Sequence, residues 1–474
     1  MKILFTLLFS LIFTLLTYSQ TLDGNWSNDY STYDNASNGT GYNTISVAVL
    51  SEDTFAALVY RAEDQATNYL IGFRDADSAM GRISEAEGAG FIASWFSGFF
   101  EIQLNTALDL AHFNDQIFLT NNDENHNILV YEMTETSVEP AELRLETGTD
   151  QIWAIDTDLN GKVYVTAAGS ESTNGKVLVY ESTANETAWS DGHVAAPLQV
   201  VDIPEEGSLR GVTVNDEGTE LFVSNHEARK VYKFIGDPET GYELDFDFEF
   251  TIEDSIMEDE KLPGPWGLNY MFDKNLLFAA SDFDFIAGGN AYEYAKMFVL
   301  NPNNGNVLDT INVAQWNFDR IGSYNSRPGG TDPGNASGYS STYNIDFDQN
   351  YNVYSQSFFG WTVEKWSYDG TLPVITSVEL KNSSLPSEYS LKQNYPNPFN
   401  PSTTIEFSIP EKSNIDLNIY SVNGELVGTA IDSEDFEAGT YKVTLNMKNY
   451  SSGIYIYSLN SGKVKLTNKM VLVK

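Results

Sequence analysis

What limits the fold of this chain most is an internal repeat. Six stretches share one shape: an alternating apolar strand, a polar turn, then a second strand ending in small or polar residues. They are "SVAVLSEDTFAALVY" (46–60), "DLAHFNDQIFLTNND" (109–123), "AIDTDLNGKVYVTAA" (154–168), "GVTVNDEGTELFVSNH" (211–226), "GLNYMFDKNLLFAASD" (267–282) and "NIDFDQNYNVYSQSFF" (344–359). Most lead on to a third strand, such as "KVLVYE" (176–181) or "KVYKFI" (230–235). Period-two alternation with Asn, Asp and Gly at the turns spells antiparallel hairpins. Copies recurring about every 45–75 residues have the spacing of a β-propeller with long insertions. No amphipathic helix of convincing length interrupts them. The expected class is therefore all-β: a β-propeller over residues 43–371, of six blades with seven as the alternative. The Asn/Ser/Tyr-rich segment 20–42 supplies either a lead-in or the strand that closes the ring.

Both ends differ from this body. Lys2 precedes an apolar run from Ile3 to Leu16, and Thr17 and Ser19 give small residues before Gln20, so residues 1–19 are expected to be a secretory signal peptide. No other stretch is long and apolar enough to form a transmembrane helix. The chain has no cysteine, which excludes disulfides, thiol nucleophiles and thiolate metal sites. Its 474 residues carry a net charge of −41. From Leu385 to Lys474, 8 lysines against 9 acids leave only −1, so the acidity belongs to the body. Such a field repels nucleic acid and anionic membranes and favours cations or basic partners.

Catalytic motifs are scarce. Asp156-x-Asp158-x-Asn160-Gly161 opens like a calcium loop, but its twelfth position is Ala167 rather than a bidentate Glu. The segment also coincides with the hairpin turn, where backbone geometry asks for the same residues. His112, His126, His193 and His226 have no metal-ligand spacing and read as isolated surface or strand residues. No nucleophile elbow, phosphate loop or dinucleotide fingerprint occurs. Trp95, Trp153, Trp189, Trp266, Trp316, Trp361 and Trp366 suit sugar stacking, but packing between blades uses the same residues.

The phrases "GVTVNDEGTELFVSNHEARKVYKF" and "PWGLNYMFDKNLLFAASD" resemble blades of NHL and SMP-30/gluconolactonase-type propellers in their hairpin pattern. SMP-30-type hydrolases hold a divalent metal at the mouth of the central channel with Glu, Asn and Asp side chains. Where that family shows Asn-Gly and Asp-Gly, this chain has Arg210-Gly211 and Trp266-Gly267. The metal candidates that the resemblance leaves are Asn121, Asn225, His226, Asp282 and Asp284, at strand ends facing one rim, with calcium as the expected ion.

The last ninety residues carry a different signature. "LKQNYPNPFNPSTTIEF" (391–407) sets Pro396, Pro398 and Pro401 within six positions, then enters β alternation. Proline fixes its own φ and pushes the preceding residue out of the helical region, leaving Tyr395 and Phe399 to pack on the strands C-terminal to them. Inward faces are expected from Ile405, Phe407 and Ile409; Ile415, Leu417 and Ile419; Tyr441, Val443 and Leu445; Ile454 and Ile456; and Val464 and Leu466, with a last strand over Lys469–Val473. Six or seven short strands with two inward faces make a small immunoglobulin-like β-sandwich over residues 389–474, after a linker at 372–388.

This region closely resembles the type A C-terminal sorting domain of the type IX secretion system. The resemblance rests on Asn394-Tyr395-Pro396-Asn397-Pro398-Phe399-Asn400-Pro401, on "YSVNGELV" with Gly424, on Phe436-x-x-Gly439-x-Tyr441, on "SSGIYIYSL" with Gly453 and Tyr455, and on the closing "NKMVLVK" with Lys469. It implies export by Sec and then by the type IX translocon, and removal of the domain by a sortase-like peptidase. The protein would be secreted or held on the outer cell surface. The function expected is an acidic propeller that binds an extracellular protein, glycan or cation, more in keeping with a non-enzyme. The alternative is a secreted SMP-30/lactonase-like metal-dependent hydrolase.

Overall fold

The computed structural model describes residues 22, 24–31, 42–61, 69–73, 91–94, 108–123, 126–133, 138–148, 151–185, 187–190, 194–253, 262–283, 294–322, 341–357, 362–370, 372, 378–382, 386–447 and 450–474. The expected signal peptide, Trp95, His193, Asp284, Trp361 and residues 373–377 and 383–385 of the expected linker lie outside them.

Each repeated hairpin opens an antiparallel sheet, of four strands in five blades and of five in the fourth. Strand β1 (Asn25–Ser31) stands apart and returns below. The first blade holds β2–β5 (Tyr42–Ser51, Thr54–Arg61, Tyr69–Phe73, Phe91–Ser94), and the second β6–β9 (Leu110–Phe113, Gln116–Asp123, His126–Met133, Val138–Leu145). The third holds β10–β13 (Ile152–Thr157, Val163–Ala167, Asn174–Tyr180, Gln199–Glu206). The fourth holds β14–β17 (Leu209–Val214, Glu220–Asn225, Lys230–Asp237, Gly241–Leu244), with β18 (Phe250–Thr251) also paired to β16. The fifth holds β19–β22 (Gly264–Met271, Leu276–Asp282, Lys296–Leu300, Val307–Asn312), and the sixth β23–β25 (Ile345–Phe347, Val353–Ser357, Thr362–Asp369).

The first strand of each blade lies against that of the next, from β2 through β6, β10, β14 and β19 to β23, and β23 returns to β2. These contacts close a six-bladed ring. The sixth blade takes its outer strand from the other end of the chain, since β1 pairs antiparallel with β25 from Asn25 opposite Asp369 to Ser31 opposite Glu364. Between the blades, alternate side chains interlock into continuous apolar cores. Trp153, Trp189, Trp266 and Trp366 are buried there, which is the packing use of tryptophan rather than the sugar-binding one. One element departs from the expected all-strand body: helix α1 (Val313–Ile321) follows the fifth blade. Asn312 caps its start by accepting from the Gln315 amide, and Gly322 ends it at φ 75°.

Beyond the ring, two four-stranded sheets form a sandwich. The elements are β26 (Val378–Asn382), β27 (Ser390–Leu391), β28 (Ser402–Ile409), β29 (Ser413–Ser421), β30 (Leu426–Phe436), β31 (Gly439–Asn446), β32 (Gly453–Asn460) and β33 (Lys465–Leu472). The sheets run β26-β31-β28-β27 and β30-β29-β32-β33 around a core that includes Phe407, Leu417, Val443, Tyr457 and Leu472.

Three details correct the sequence-based expectation. Val464, Leu466 and the closing segment do not form two strands, because β33 runs unbroken from Lys465 to Leu472. In β32 the inward face is Tyr455, Tyr457 and Leu459, while Ile454 is half exposed. A one-residue choice of register moves every side chain to the other face, and the tyrosines turn inward with their hydroxyls donating to the backbone carbonyls of Ser451 and Lys392. Finally, Tyr395 is 82% exposed, so of the two aromatic rings of the proline segment only Phe399 packs.

Candidate functional site

First-strand residues of all six blades and the hairpin turns of five converge on one cavity of about 600 Å³. Its walls carry Asp109, Asp156, Asp158, Asp216, Asp273, Asp346 and Asp348, with His112 as the histidine among them and Phe113, Tyr270, Phe347 and Tyr351 between. In repeat terms these acids lie between the first and seventh residues of their hairpins, on or next to the first strand or in the turn, which the ring geometry brings to one mouth.

The first strand of a blade has an unpaired edge toward the channel, and its amides need partners. Acidic and amide side chains of one blade supply them to the next. Asp109 accepts from the Ile155 amide at 3.0 Å, and Asp156 accepts from the Val214 amide at 2.9 Å and the Thr213 hydroxyl at 2.7 Å. Asn344 accepts from the Val47 amide at 3.4 Å and Asp346 from the Val49 amide at 2.5 Å. Asp109 also accepts from the Ser46 hydroxyl at 2.8 Å and the Asn344 side-chain amide at 2.7 Å. The ring is thus stitched around its channel by polar side chains.

This burial has an electrostatic consequence. Desolvation pushes Asp109 up to about 7 and Asp156 up to about 6, against hydrogen bonds that favour the ionised form. His112 corrects the expectation of an isolated residue: its Nδ1 lies 3.6 Å from Asp346 Oδ2. Burial works against its charged form, but the hydrogen bond and charge of Asp346, with Asp156 beyond, outweigh it and hold the imidazole above its ordinary value.

The Asp156–Gly161 segment takes its turn form. Asp158 Oδ1 accepts from the amides of Asn160 and Lys162 at 2.8 and 3.0 Å, while the Tyr164 hydroxyl meets the other oxygen at 3.4 Å. Asp348 repeats the device in the sixth blade, with the amides of Asn350 and Asn352 and the Tyr354 hydroxyl.

Of the metal candidates chosen from sequence, Asn225 and Asp282 end the second strands of their blades, Asn121 lies near the end of its own and His226 just past one, at the channel end opposite these turns. Asp284 lies outside the described residues. Asn225 accepts from the Ala228 amide and donates to the carbonyls of Glu205 and Glu206. Asp282 accepts from the amides of Phe283 and Thr342, and its carbonyl meets His226 Nε2 at 3.3 Å. Asn121 is fully buried on β7. Among the described residues, no group of three or more acidic or histidine side chains is arranged to hold a metal ion. Arg210 and Trp266, where the resemblance expects ligands, instead pack together: the guanidinium lies 3.5 Å over the Trp153 ring and 4.9 Å from that of Trp266. The glycines beside them are required by close approach, since a Cβ at Gly211 would meet the Trp266 carbonyl and one at Gly267 the Tyr343 carbonyl. Sequence reasoning singled out Asp156 and Asp158 but did not join them to Asp109, Asp216, Asp273, Asp346 and Asp348, because these acids sit in five different repeats. The signal that finds them is an acid in the first half of the hairpin, which lines the channel in five of the six repeats.

In the sandwich, the proline segment is a clasp. Asn394 is buried, receives its place from the Tyr457 hydroxyl bonded to its amide, and donates to the Pro396 carbonyl and the Thr403 hydroxyl. Tyr395 exchanges backbone bonds with Thr404, and Phe399 with Val471 and Val473. Asn397 accepts from the Val471 amide. Pro396, Pro398 and Pro401 bring no donors to a strip with few partners to offer. Gly424 turns β29 into β30 at φ 82°, Gly439 and Gly453 open β31 and β32, Tyr455 is buried, and Lys469 points outward from β33.

The molecule is thus a closed propeller followed by a small β-sandwich clasped by its own proline segment. Residues 393–474 match the family described as the secretion system C-terminal sorting domain. That domain marks the chain for export through the type IX secretion system to the cell surface or extracellular space. No helix among the described residues is long and apolar enough to cross a membrane. A comparison with curated proteins finds no match. Similar solved structures include a gluconolactonase from Xanthomonas campestris (9% identity, 74% of this chain and 92% of that one, TM-score 0.40) and the WD40 domain of Toxoplasma gondii coronin (10%, 75% and 87%, TM-score 0.40). A PQQ-bound aldose sugar dehydrogenase from Streptomyces coelicolor is also similar (12%, 73% and 98%, TM-score 0.38).

Proposed function

We propose that the propeller is an exported binding module whose working end is the acidic channel mouth, and that its ligand presents positive charge. The observation that carries this reading is the convergence of seven aspartates from five blades on one cavity lined with aromatic rings. A concave site of one sign focuses its field and raises the local concentration of oppositely charged groups. A metal-dependent hydrolase is the rival, and the Arg210–Trp266 stack at the positions of expected ligands weighs against it. The expected linker 372–388 contains β26 of the sandwich, so in this reading a sortase-like peptidase removes the sandwich after export by cutting between the ring and β26.

The test uses the purified chain with an oligolysine peptide and with calcium, by titration calorimetry, beside a lactonase assay with and without chelator. Binding of the peptide is expected, weakening steeply as salt rises. Asp216→Asn with Asp273→Asn, both partly exposed turn residues at the mouth, should weaken it about tenfold. Chelator-sensitive lactone hydrolysis with no peptide binding would overturn the reading.

A further inference from the structure

The outer face of the sheet β30-β29-β32-β33 should be polar, because the other face already fills the sandwich core. At one end it is not. Directly opposed residues in antiparallel strands share a face. Leu426 opposes Tyr420, Tyr420 opposes Ile456, Ile456 opposes Lys469, and Ile454 opposes Val471. Their neighbours in sequence, Tyr455, Tyr457, Met470 and Leu472, are buried on the inner side, so this set faces out. Leu426 is 58% exposed and Ile454 50%, and Val422 in the adjoining turn is 61% exposed. One end of the face is therefore a contiguous apolar patch, next to the chain's C-terminus.

The patch is edged by cations. Lys469 lies in the same cross-strand row as Tyr420 and Ile456, and Lys465, from the same outward set of β33, lies 6.0 Å from the Tyr420 ring. In a chain of net charge −41, a lysine-edged apolar surface stands out. A second copy of this chain fits it poorly, because a two-fold contact would oppose these lysines to one another. The apolar core of the sandwich is separate from those of the acidic propeller.

We propose that this face, centred on Ile454 and Val471, is where the export machinery grips the sorting domain, through an apolar surface of its own bordered by acidic groups. The proposal rests on the export reading of residues 393–474. A few large side chains at the centre of such a contact carry most of its energy, while the charged border steers it.

The full-length chain is expressed in a bacterium with a type IX system, and the surface and medium are compared with the periplasm by immunoblot. Ile454→Lys with Val471→Lys should lower export about tenfold while the melting of the purified protein holds. Thr467→Lys, at the polar end of the same face, should export as wild type. If the first variant melts early, Val422→Ser with Leu426→Ser replaces it, with the same expectation. Normal export of folded patch variants, while deletion of Lys469–Lys474 blocks export, would overturn the gripping face and leave the sorting reading intact. Normal export of the deletion would remove both. A dimer in sedimentation that the patch substitutions dissociate, with export unchanged, would assign the face to a second copy and overturn the proposal.

Discussion

The ring and the sandwich meet the same difficulty, strand edges with unpaired backbone groups, and resolve it by opposite chemistry. In the ring, the exposed edges face the channel and are capped by ionisable side chains reaching over from the neighbouring blade, Asp109 to Ile155 and Asp156 to Val214. In the sandwich, the open edge of β33 is covered by the proline segment, which contributes single amides from Phe399 and side-chain groups from Gln393 and Asn397. The first solution leaves charge in a cavity, where a ligand can use it. The second directs its polar groups to the domain's own backbone and, among the described residues, leaves no charge in a cavity. The difference teaches that an acid count does not locate a site: several of the channel acids first serve the backbone, and function is built on that framework.

The comparison breaks most visibly if the sandwich is truncated. Removing Lys469–Lys474 takes Met470 and Leu472 from the core, together with the Phe399 and Asn397 contacts. Burial of two such side chains is worth about 2–3 kcal/mol each, a large part of what a domain of this size possesses. The sandwich should unfold and export should fail nearly completely, while the ring melts at its original temperature. Fractionation and calorimetry on the same variant check both halves. A single transition that moves with the truncation would show that the two units do not fold independently.

A smaller effect is expected where the ring is fastened. Asp53, at φ 54° in the first hairpin turn, accepts from Tyr30 of β1 at 3.0 Å and from Lys365 of the sixth blade at 2.8 Å, while its amide donates to the Tyr354 hydroxyl at 2.9 Å. Burial and the neighbouring acid hold both tyrosines protonated, so both donate. Asp53→Asn keeps a residue that tolerates this φ but removes the charge opposite a buried lysine, at a cost of about 2–3 kcal/mol. Limited proteolysis within 25–31 should accelerate, and the sandwich transition should not move. An unchanged cleavage rate would mean that the β1–β25 pairing alone fastens the ring.

How much of this was legible in sequence differs between the halves for a physical reason. The hairpin pattern of the ring is written in period-two alternation, so the repeat and the closed architecture follow from local signals such as "GVTVNDEGTELFVSNH". The channel is not local: Asp109, Asp156 and Asp346 come from three blades, and only ring closure makes them neighbours. Strand ends such as Asn225 and Asp282 were attractive because they are polar, yet backbone groups claim them. The sandwich motifs are short and ordered, so the identity of the domain was readable from Asn394 to Pro401. The face of β32 was not, because "GIYIYSL" alternates two apolar residue types, and core geometry decides which type turns inward.

The finest test of the comparison is pH, because among the described residues only the ring buries carboxylates whose affinity for protons is raised. Asp109 titrates at about 7 and Asp156 at about 6 in the folded ring, against about 3.9 for an unfolded aspartate. The folded state therefore holds protons that the unfolded state has released. Stability from these groups is fully present below about pH 4 and is lost as pH rises through about 6–7, with a slope of at most about 1.4 kcal/mol per pH unit for each proton. Relief of general repulsion at net charge −41 acts in the same direction, so the wild-type curve alone is ambiguous. Asp109→Asn separates the two: it leaves the overall field nearly unchanged and removes one titrating group. Calorimetric melting of the ring between about pH 8 and 5 should steepen in the wild type relative to the variant, while the sandwich transition keeps the same profile in both. Parallel ring profiles would mean that Asp109 ionises with no penalty, and that the cavity is wetter and less able to focus charge than its buried carboxylates imply.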